Sequence, residues 1–177
     1  GLKDLAGISV SGGVVTIGAA TRHADVAASA EVRKAIPALA DLAGWIGDPA
    51  VRHRGTIGGS IANADPSADY PAAIVALNAT VHTSRRVIAA DDFFTGMFET
   101  ALHTGEIVTK VAFPVPEKAG YEKFRNPASR YAMVGVFVAK RPAGVRVAVT
   151  GAGACAFRQK DMEAALSKNW SAAALDG

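Results

Sequence analysis

Between Gly55 and Pro71 the chain runs for 17 residues, Gly-Thr-Ile-Gly-Gly-Ser-Ile-Ala-Asn-Ala-Asp-Pro-Ser-Ala-Asp-Tyr-Pro, without a helical or a strand period. Gly, Asn, Asp, Ser and Pro dominate it, which predicts an ordered loop. Structureless connections beyond ~12 to 15 residues inside a compact domain are usually functional or disordered. The interspersed Ile and Ala residues argue against disorder here. The fold must therefore be one that suspends a long glycine-containing loop between regular elements.

The flanks supply those elements. Ile8 to Gly18 sets β-branched residues on both sides of Gly12-Gly13, a hairpin signature with its turn near Ser11 to Gly13. From Ala24 the composition turns helical. Pro37 suits a first helical turn and Leu39, Leu42 and Ile46 recur at three to four residues, so two helices are expected, the second ending near Gly47. After the loop come a short helix at Pro71 to Leu77, a strand at Thr80 to Thr83, a helix capped by Asp91 or Asp92 through Phe93, Phe94 and Met97, and a strand at Ile107 to Val115. Beyond Pro116 the pattern is antiparallel β: Ala132 to Lys140 and Val145 to Thr150, joined by Arg141-Pro142-Ala143-Gly144, with a helix around Met162, Ala165 and Leu166 and another opened by Ser171. Strands and helices mix without a regular βαβ alternation, so the class is α+β, with a boundary near residue 118. With 37 alanines among 177 residues, the core is expected to be alanine-lined.

Charge and cysteine content exclude several functions. A net charge of +3 falls far short of the clustered excess that phosphate-backbone binding demands, so nucleic acid is not an expected partner. The single Cys155 cannot by itself form an intramolecular disulfide, a zinc site or an iron–sulfur cluster, which suits a reducing, cytoplasmic setting. His23, His53, His82 and His103 lack metal-ligand spacing and default to surface or core roles. No apolar run reaches a membrane span and no signal-peptide core follows Gly1-Leu2-Lys3. Gly151-Ala152-Gly153-Ala154-Cys155-Ala156 matches a dinucleotide fingerprint in letters only, because Phe157-Arg158 intervenes where a helix must open.

The chemistry therefore concentrates in the loop. Gly58-Gly59 permits close backbone approach to a ligand, successive N–H groups in such turns form anion-binding concavities, and Thr56 and Ser60 add hydroxyls, a set that suits a pyrophosphate. Asn63, Asp65, Ser67 and Asp69 alternate with Ala or Pro, so an extended course would aim them to one side, toward ribityl or ribose hydroxyls. Spacing alone leaves the plainer alternative open, in which Gly58-Gly59 is only a turn and Asp69 caps the next helix.

Taken as one block of 27 residues, Trp45 to Pro71 closely resembles the flavin-binding medium subunit of molybdenum hydroxylases, the carbon monoxide dehydrogenase type related to xanthine dehydrogenase. Gly18-Ala19-Ala20-Thr21 looks like that family's strand-to-helix entry, and Tyr121 to Arg125 with Ala128 to Ala132 looks like its crossing into a C-terminal domain. The resemblance implies the second subdomain of a vanillyl-alcohol-oxidase-like FAD-binding fold over residues 1–118, followed over 119–177 by part of an antiparallel-sheet C-terminal domain. It implies that Thr56, Ile57, Gly58, Gly59 and Ser60 hold the FAD pyrophosphate with Asn63 close by, and that Asp69 accepts bonds from the ribityl chain. Ile46 and Val108 match apolar cofactor contacts, Lys123 or Arg125 a basic residue near the isoalloxazine, and Tyr131 a cover for the ring. Arg52 and Arg54 flank the loop.

By the same resemblance this is an electron-transfer subunit of an oxidoreductase, passing electrons from iron–sulfur clusters through FAD to an external acceptor. Its partners would be an iron–sulfur small subunit and a molybdopterin large subunit, in a dimer of heterotrimers. The family's other glycine-rich loop, Ala-Gly-Gly-His/Gln-Ser/Thr, has no counterpart in this sequence, so a chain truncated at its N-terminus, and cut short at Gly177, is expected. Two further readings stay open: a cofactor-free interaction module of such a complex, and a general adenine-nucleotide domain.

Overall fold

The computed structural model describes residues 3–176; the outer limits Gly1 and Gly177 of the two expected domains lie outside the described residues. In chain order the strands and helices are β1 Ile8–Ser11, β2 Val14–Gly18, α1 His23–Ala28, α2 Ala30–Ala35, α3 Pro37–Gly44, α4 Pro49–Arg54, α5 Ile57–Asn63, α6 Tyr70–Ala76, β3 Thr80–Thr83, β4 Val87–Ala89, α7 Ala90–Phe93, β5 Phe94–Gly96, β6 Glu99–Thr100, β7 Val108–Pro114, β8 Lys118–Arg125, β9 Ala132–Arg141, β10 Gly144–Thr150, β11 Phe157–Arg158 and α8 Lys160–Lys168. An antiparallel five-stranded sheet runs β1-β2-β7-β3-β4, a second sheet of four runs β11-β10-β9-β8, and β5 pairs with β6. The mixed α+β class is as the sequence implies.

Period-two patterning sets the faces of the first sheet. Val15 and Ile17 of β2, Val81 of β3 and Val111 and Phe113 of β7 turn inward and are fully buried, and the helices cover them. The turn between β1 and β2 places both Gly12 and Gly13 at positive φ, +56° and +74°, the backbone that joins a two-residue hairpin without steric penalty. One apolar core joins this layer to Tyr121, Phe137, Ala139 and Ala148 of the second sheet. The seven residues of α6 are all buried; the helix packs on β9, β10 and β11 of the second sheet and against α3, α5 and α7, and its alanines let these backbones approach closely.

Three expectations change. The region from Ala24 to Gly44 holds three helices, because the Ser29 hydroxyl caps a separate α2 and Pro37 starts α3 anew. The helix at Asp91-Asp92 lasts only Ala90–Phe93, with Ala89 at its N-cap position; Asp91 instead faces Arg146 and Arg158. The 17-residue loop is not one loop: Ile57–Asn63 is helical, Tyr70 and Pro71 begin α6, and only residues 55–56 and 64–69 lie outside helices. Thr56 makes that possible, its side chain accepting a bond from the Gly59 N–H at 3.1 Å.

The letters of the rejected fingerprint form bends ending in β11, not a helix. Among the described residues no helix is long and apolar enough to cross a membrane, and no cluster of His, Cys, Asp or Glu could hold a metal ion.

Candidate functional site

A cleft of about 450 Å³ opens where α4, α5, the 64–69 segment and the β8–β9 connection meet, a size typical of small-molecule sites. Ile46, Gly47 and Val51 line it from the turn before α4 and from α4 itself, Gly55, Thr56, Gly59, Ser60 and Asn63 form its floor along α5, and Ser129, Arg130 and Tyr131 line it from the β8–β9 connection.

Each wall has a local cause. Gly47 takes φ +51°, and the Arg52 guanidinium donates to the carbonyls of Ile46 and Gly47 at 3.0 Å each, fixing the turn before α4. Asp48 caps α4 through the Val51 N–H at 2.9 Å, which holds its carboxyl below the ordinary range. The 64–69 segment is held from the second sheet. Thr150 Oγ1 donates to the carbonyls of Pro66 and Ala68, the Gly151 N–H to that of Pro66 and the Ala132 N–H to that of Ser67.

The two adjacent glycines do different things. A Cβ at Gly58 would meet the Ala19 Cβ at 2.5 Å and its carbonyl oxygen at 2.8 Å, so this glycine lets α5 lie against the end of β2. A Cβ at Gly59 would meet only Thr56 Oγ1, at 3.1 Å, and Gly59 is exposed on the cleft floor.

The N–H groups expected to cradle an anion are already engaged. Ile57 N–H donates to Thr21 O, Gly58 N–H to Ala19 O, Gly59 N–H to Thr56 Oγ1 and Ser60 N–H to Thr56 O. The helical turn aligns these donors with the chain's own acceptors, and the open nest that spacing suggested is not formed. The residues lining the cleft that carry polar side chains include Thr56 and Ser60, Asn63, Arg54 and Arg130, together with the acidic Asp65 and Asp69.

The alternating polar residues are not extended either. Ala64 sits in the left-handed region at φ 49°, ending α5, and Asp65 Oδ1 turns back to accept the Ser67 N–H at 2.9 Å. Asn63, Asp65 and Asp69 line the cleft; Ser67 does not.

Asp69 does not cap α6 with its side chain. It is buried, Oδ1 accepting the Tyr121 hydroxyl at 2.6 Å and Oδ2 the Lys123 ammonium at 3.1 Å. Lys123 Nζ also donates to the Trp45 carbonyl at 3.1 Å, so Lys123 lies behind Asp69, away from the cleft. Burial pushes the Asp69 carboxyl up, and Lys123 and then Tyr121 oppose that rise.

Of the residues singled out in the sequence, the fold brings Ile46, Thr56, Gly59, Ser60, Asn63, Asp69 and Tyr131 together. Ile57 and Gly58 are buried beneath the floor, Val108 is buried within β7, and Lys123 lies outside the cleft lining. Sequence reasoning missed His23, Val51, Ala68 and Arg130. Val51 and Ala68 lie within the Trp45 to Pro71 block and Arg130 within Ala128 to Ala132, without a role read for them there, while His23 is brought to the cleft by the fold, where an isolated bridge pairs its neighbour Arg22 with Thr56.

Comparison with known proteins finds relatives of this arrangement. Residues 1–116 match the family described as the FAD binding domain in molybdopterin dehydrogenase. The glyceraldehyde dehydrogenase medium chain of Sulfolobus acidocaldarius is 36% identical over 173 residues, covering 92% of this chain and 62% of that one. The carbon monoxide dehydrogenase medium chain of Hydrogenophaga pseudoflava is 34% identical over 171 residues, covering 90% and 60%. This chain thus spans about 60% of the length of those relatives. A solved structure of the Hydrogenophaga pseudoflava carbon monoxide dehydrogenase superposes with a TM-score of 0.89 at 35% identity, over 97% of this chain and 64% of that one. Quinoline 2-oxidoreductase from Pseudomonas putida 86 gives 0.85 at 28% identity, over 92% and 61%.

Proposed function

The chain belongs to the family of FAD-binding domains of molybdopterin dehydrogenases, and on that premise we propose that it is the FAD-binding, electron-transferring part of a molybdenum-containing hydroxylase or dehydrogenase. Residues 1–118 are the FAD-binding portion and 119–177 belong to the C-terminal domain. Supporting this reading, Thr56, Gly59, Ser60 and Asn63 share one cleft with the apolar surfaces of Ile46, Val51 and Tyr131. That single observation carries the proposal: a polar floor for phosphates and ribityl hydroxyls beside an apolar wall for a flat ring is what a flavin dinucleotide requires.

The chain's own residues bind and orient. Thr56 and Ser60 offer hydroxyls to the phosphates, Asn63 an amide, and Arg54 and Arg130 a positive field at the rim. Ile57 and Gly58 act from below, keeping α5 against β2 so that the Gly59 face is bare. Asp69 faces the ribityl chain, with Lys123 and Tyr121 fixing its carboxylate. Val108 supports from within the core. Bound FAD would supply the redox chemistry, accepting electrons from iron–sulfur clusters and passing them to an external acceptor. No side chain is assigned a proton transfer or a nucleophilic role. An iron–sulfur small subunit and a molybdopterin large subunit would be the partners, in the cytoplasm.

Gly59→Leu tests this in the assembled complex. The substitution fills the cleft floor while replacing a helical glycine by a better helix former, so folding is retained. Flavin content should fall to near zero, with the variant melting no lower than flavin-stripped wild type. Unchanged flavin content would overturn the reading and favour a cofactor-free interaction module.

A further inference from the structure

His23 opens α1 and is 4% exposed, yet neither of its ring nitrogens has a hydrogen-bond partner among the described residues. Such a group is rare in a folded protein and calls for an explanation. Its backbone N–H donates to the Gly55 carbonyl at 3.0 Å, which lays the imidazole against the Gly55 Cα. A Cβ at position 55 would stand 2.6 Å from Nε2, so Gly55 is the residue that makes room for this ring. The two nitrogens differ. Nδ1 is fully enclosed, whereas Nε2 is not among the enclosed atoms and lies beside Gly55, which lines the cleft with His23; the Tyr70 ring packs against the imidazole with centroids 5.4 Å apart.

This arrangement fixes the ring's chemistry. Burial, and secondarily the charge of Arg52, lowers the imidazole's pKa to about 4, so the ring is neutral at physiological pH and carries one proton. On the enclosed Nδ1 that proton would have no acceptor; on Nε2 it points into the cleft. The Nε2–H tautomer is therefore the favoured one.

We propose that His23 is a further ligand-binding residue of the cleft, its Nε2–H donating to a diphosphate oxygen of the bound dinucleotide. The inference rests on the FAD reading above. It also answers a deficit in the site: the backbone N–H groups of residues 57–60 are engaged within the chain, so anionic oxygens over the floor must find donors on side chains. His23 is the buried one, held rigidly next to Gly55 and Thr56. A neutral donor there contributes directional bonding without placing a buried charge near Arg52 and Arg54.

The test compares His23→Phe, which keeps a ring against Tyr70 without a donor, and His23→Gln, which keeps an N–H near the Nε2 position. Both are made in the intact protein. Binding of FAD, ADP and riboflavin is titrated, and the imidazole tautomer is read by nitrogen-15 NMR without ligand. The expected result is an Nε2–H tautomer, about a tenfold or greater loss of affinity for FAD and ADP alike in the Phe variant, recovery in the Gln variant, and unaltered binding of riboflavin, which has no phosphate. Wild-type affinity for FAD in the Phe variant, or an Nδ1–H tautomer, would overturn the role of His23 alone. Failure of the unmutated protein to bind FAD would overturn both this role and the reading beneath it.

Discussion

Replacing Lys123 by methionine removes the one cation among the described residues that pairs with Asp69, while keeping most of the side chain's volume. In the folded protein the two side chains are 1% and 5% exposed, with Nζ 2.9 Å from Oδ1. The variant leaves a buried carboxylate with only the Tyr121 hydroxyl, and it leaves the Trp45 carbonyl without its Lys123 donor. Breaking a buried pair on one side costs about 3–5 kcal/mol. For a chain of this size that corresponds to about 6–20 °C in melting temperature.

The loss should depend on pH, with a sign that follows from Asp69. Burial already raises its carboxyl, and Lys123 is the larger of the opposing influences. Without Lys123 the folded state holds the Asp69 proton still more tightly than the unfolded chain does. Stability then falls as pH rises through and above the ordinary carboxylate range, and recovers on acidification. Differential scanning calorimetry from pH 5 to pH 8 should show the gap between wild type and Lys123→Met widening toward pH 8. The double variant Asp69→Asn/Lys123→Met should regain most of the loss. A drop of less than about 2 °C, or a gap independent of pH, would refute the account of a buried, charge-compensated Asp69.

Other consequences are equally specific. Gly58→Ala forces a Cβ to 2.5 Å from the Ala19 Cβ and should destabilise by about 1–3 kcal/mol, whereas Gly59→Ala, one residue on in the same helix, should be neutral or stabilising by up to about 1 kcal/mol; thermal melts of the pair that came out equal would contradict the distinct roles given to the two glycines. Glu106 accepts from Arg86, Thr83 and the His103 N–H, which hold its carboxyl down to about 2. Its contribution is complete above the ordinary glutamate range and is lost as pH falls toward 2. The stability difference between wild type and Glu106→Gln should therefore shrink over that acid interval, and a constant difference in an acid-unfolding series would count against it.

What could be read in the sequence follows from how local its cause was. The Gly12-Gly13 hairpin, strand Thr80–Thr83 and the β9–β10 hairpin are set by neighbours within a few residues, and they stand where the pattern puts them. The helix Ile57–Asn63 was hidden because Gly58-Gly59 has low helical propensity; Thr56 capping and the fit of Gly58 against Ala19 override it, and the second of these lies 39 residues away. The cleft was half legible for the same reason. Thr56, Gly59, Ser60 and Asn63 are contiguous, and their shared chemistry was visible in the chain. His23 and Arg130 reach the same cleft only through the folding of α1 and of the β8–β9 connection, and Lys123 is turned behind Asp69 by the strand alternation of β8.

The central claim is that this cleft takes FAD. Titrating the protein with FAD, FMN and ADP, followed by flavin fluorescence and the visible spectrum, tests it most directly. The account predicts saturable binding that favours FAD over FMN, with ADP competing through the shared diphosphate. Flavin that remains free at every concentration, with the protein folded by calorimetry, would contradict it.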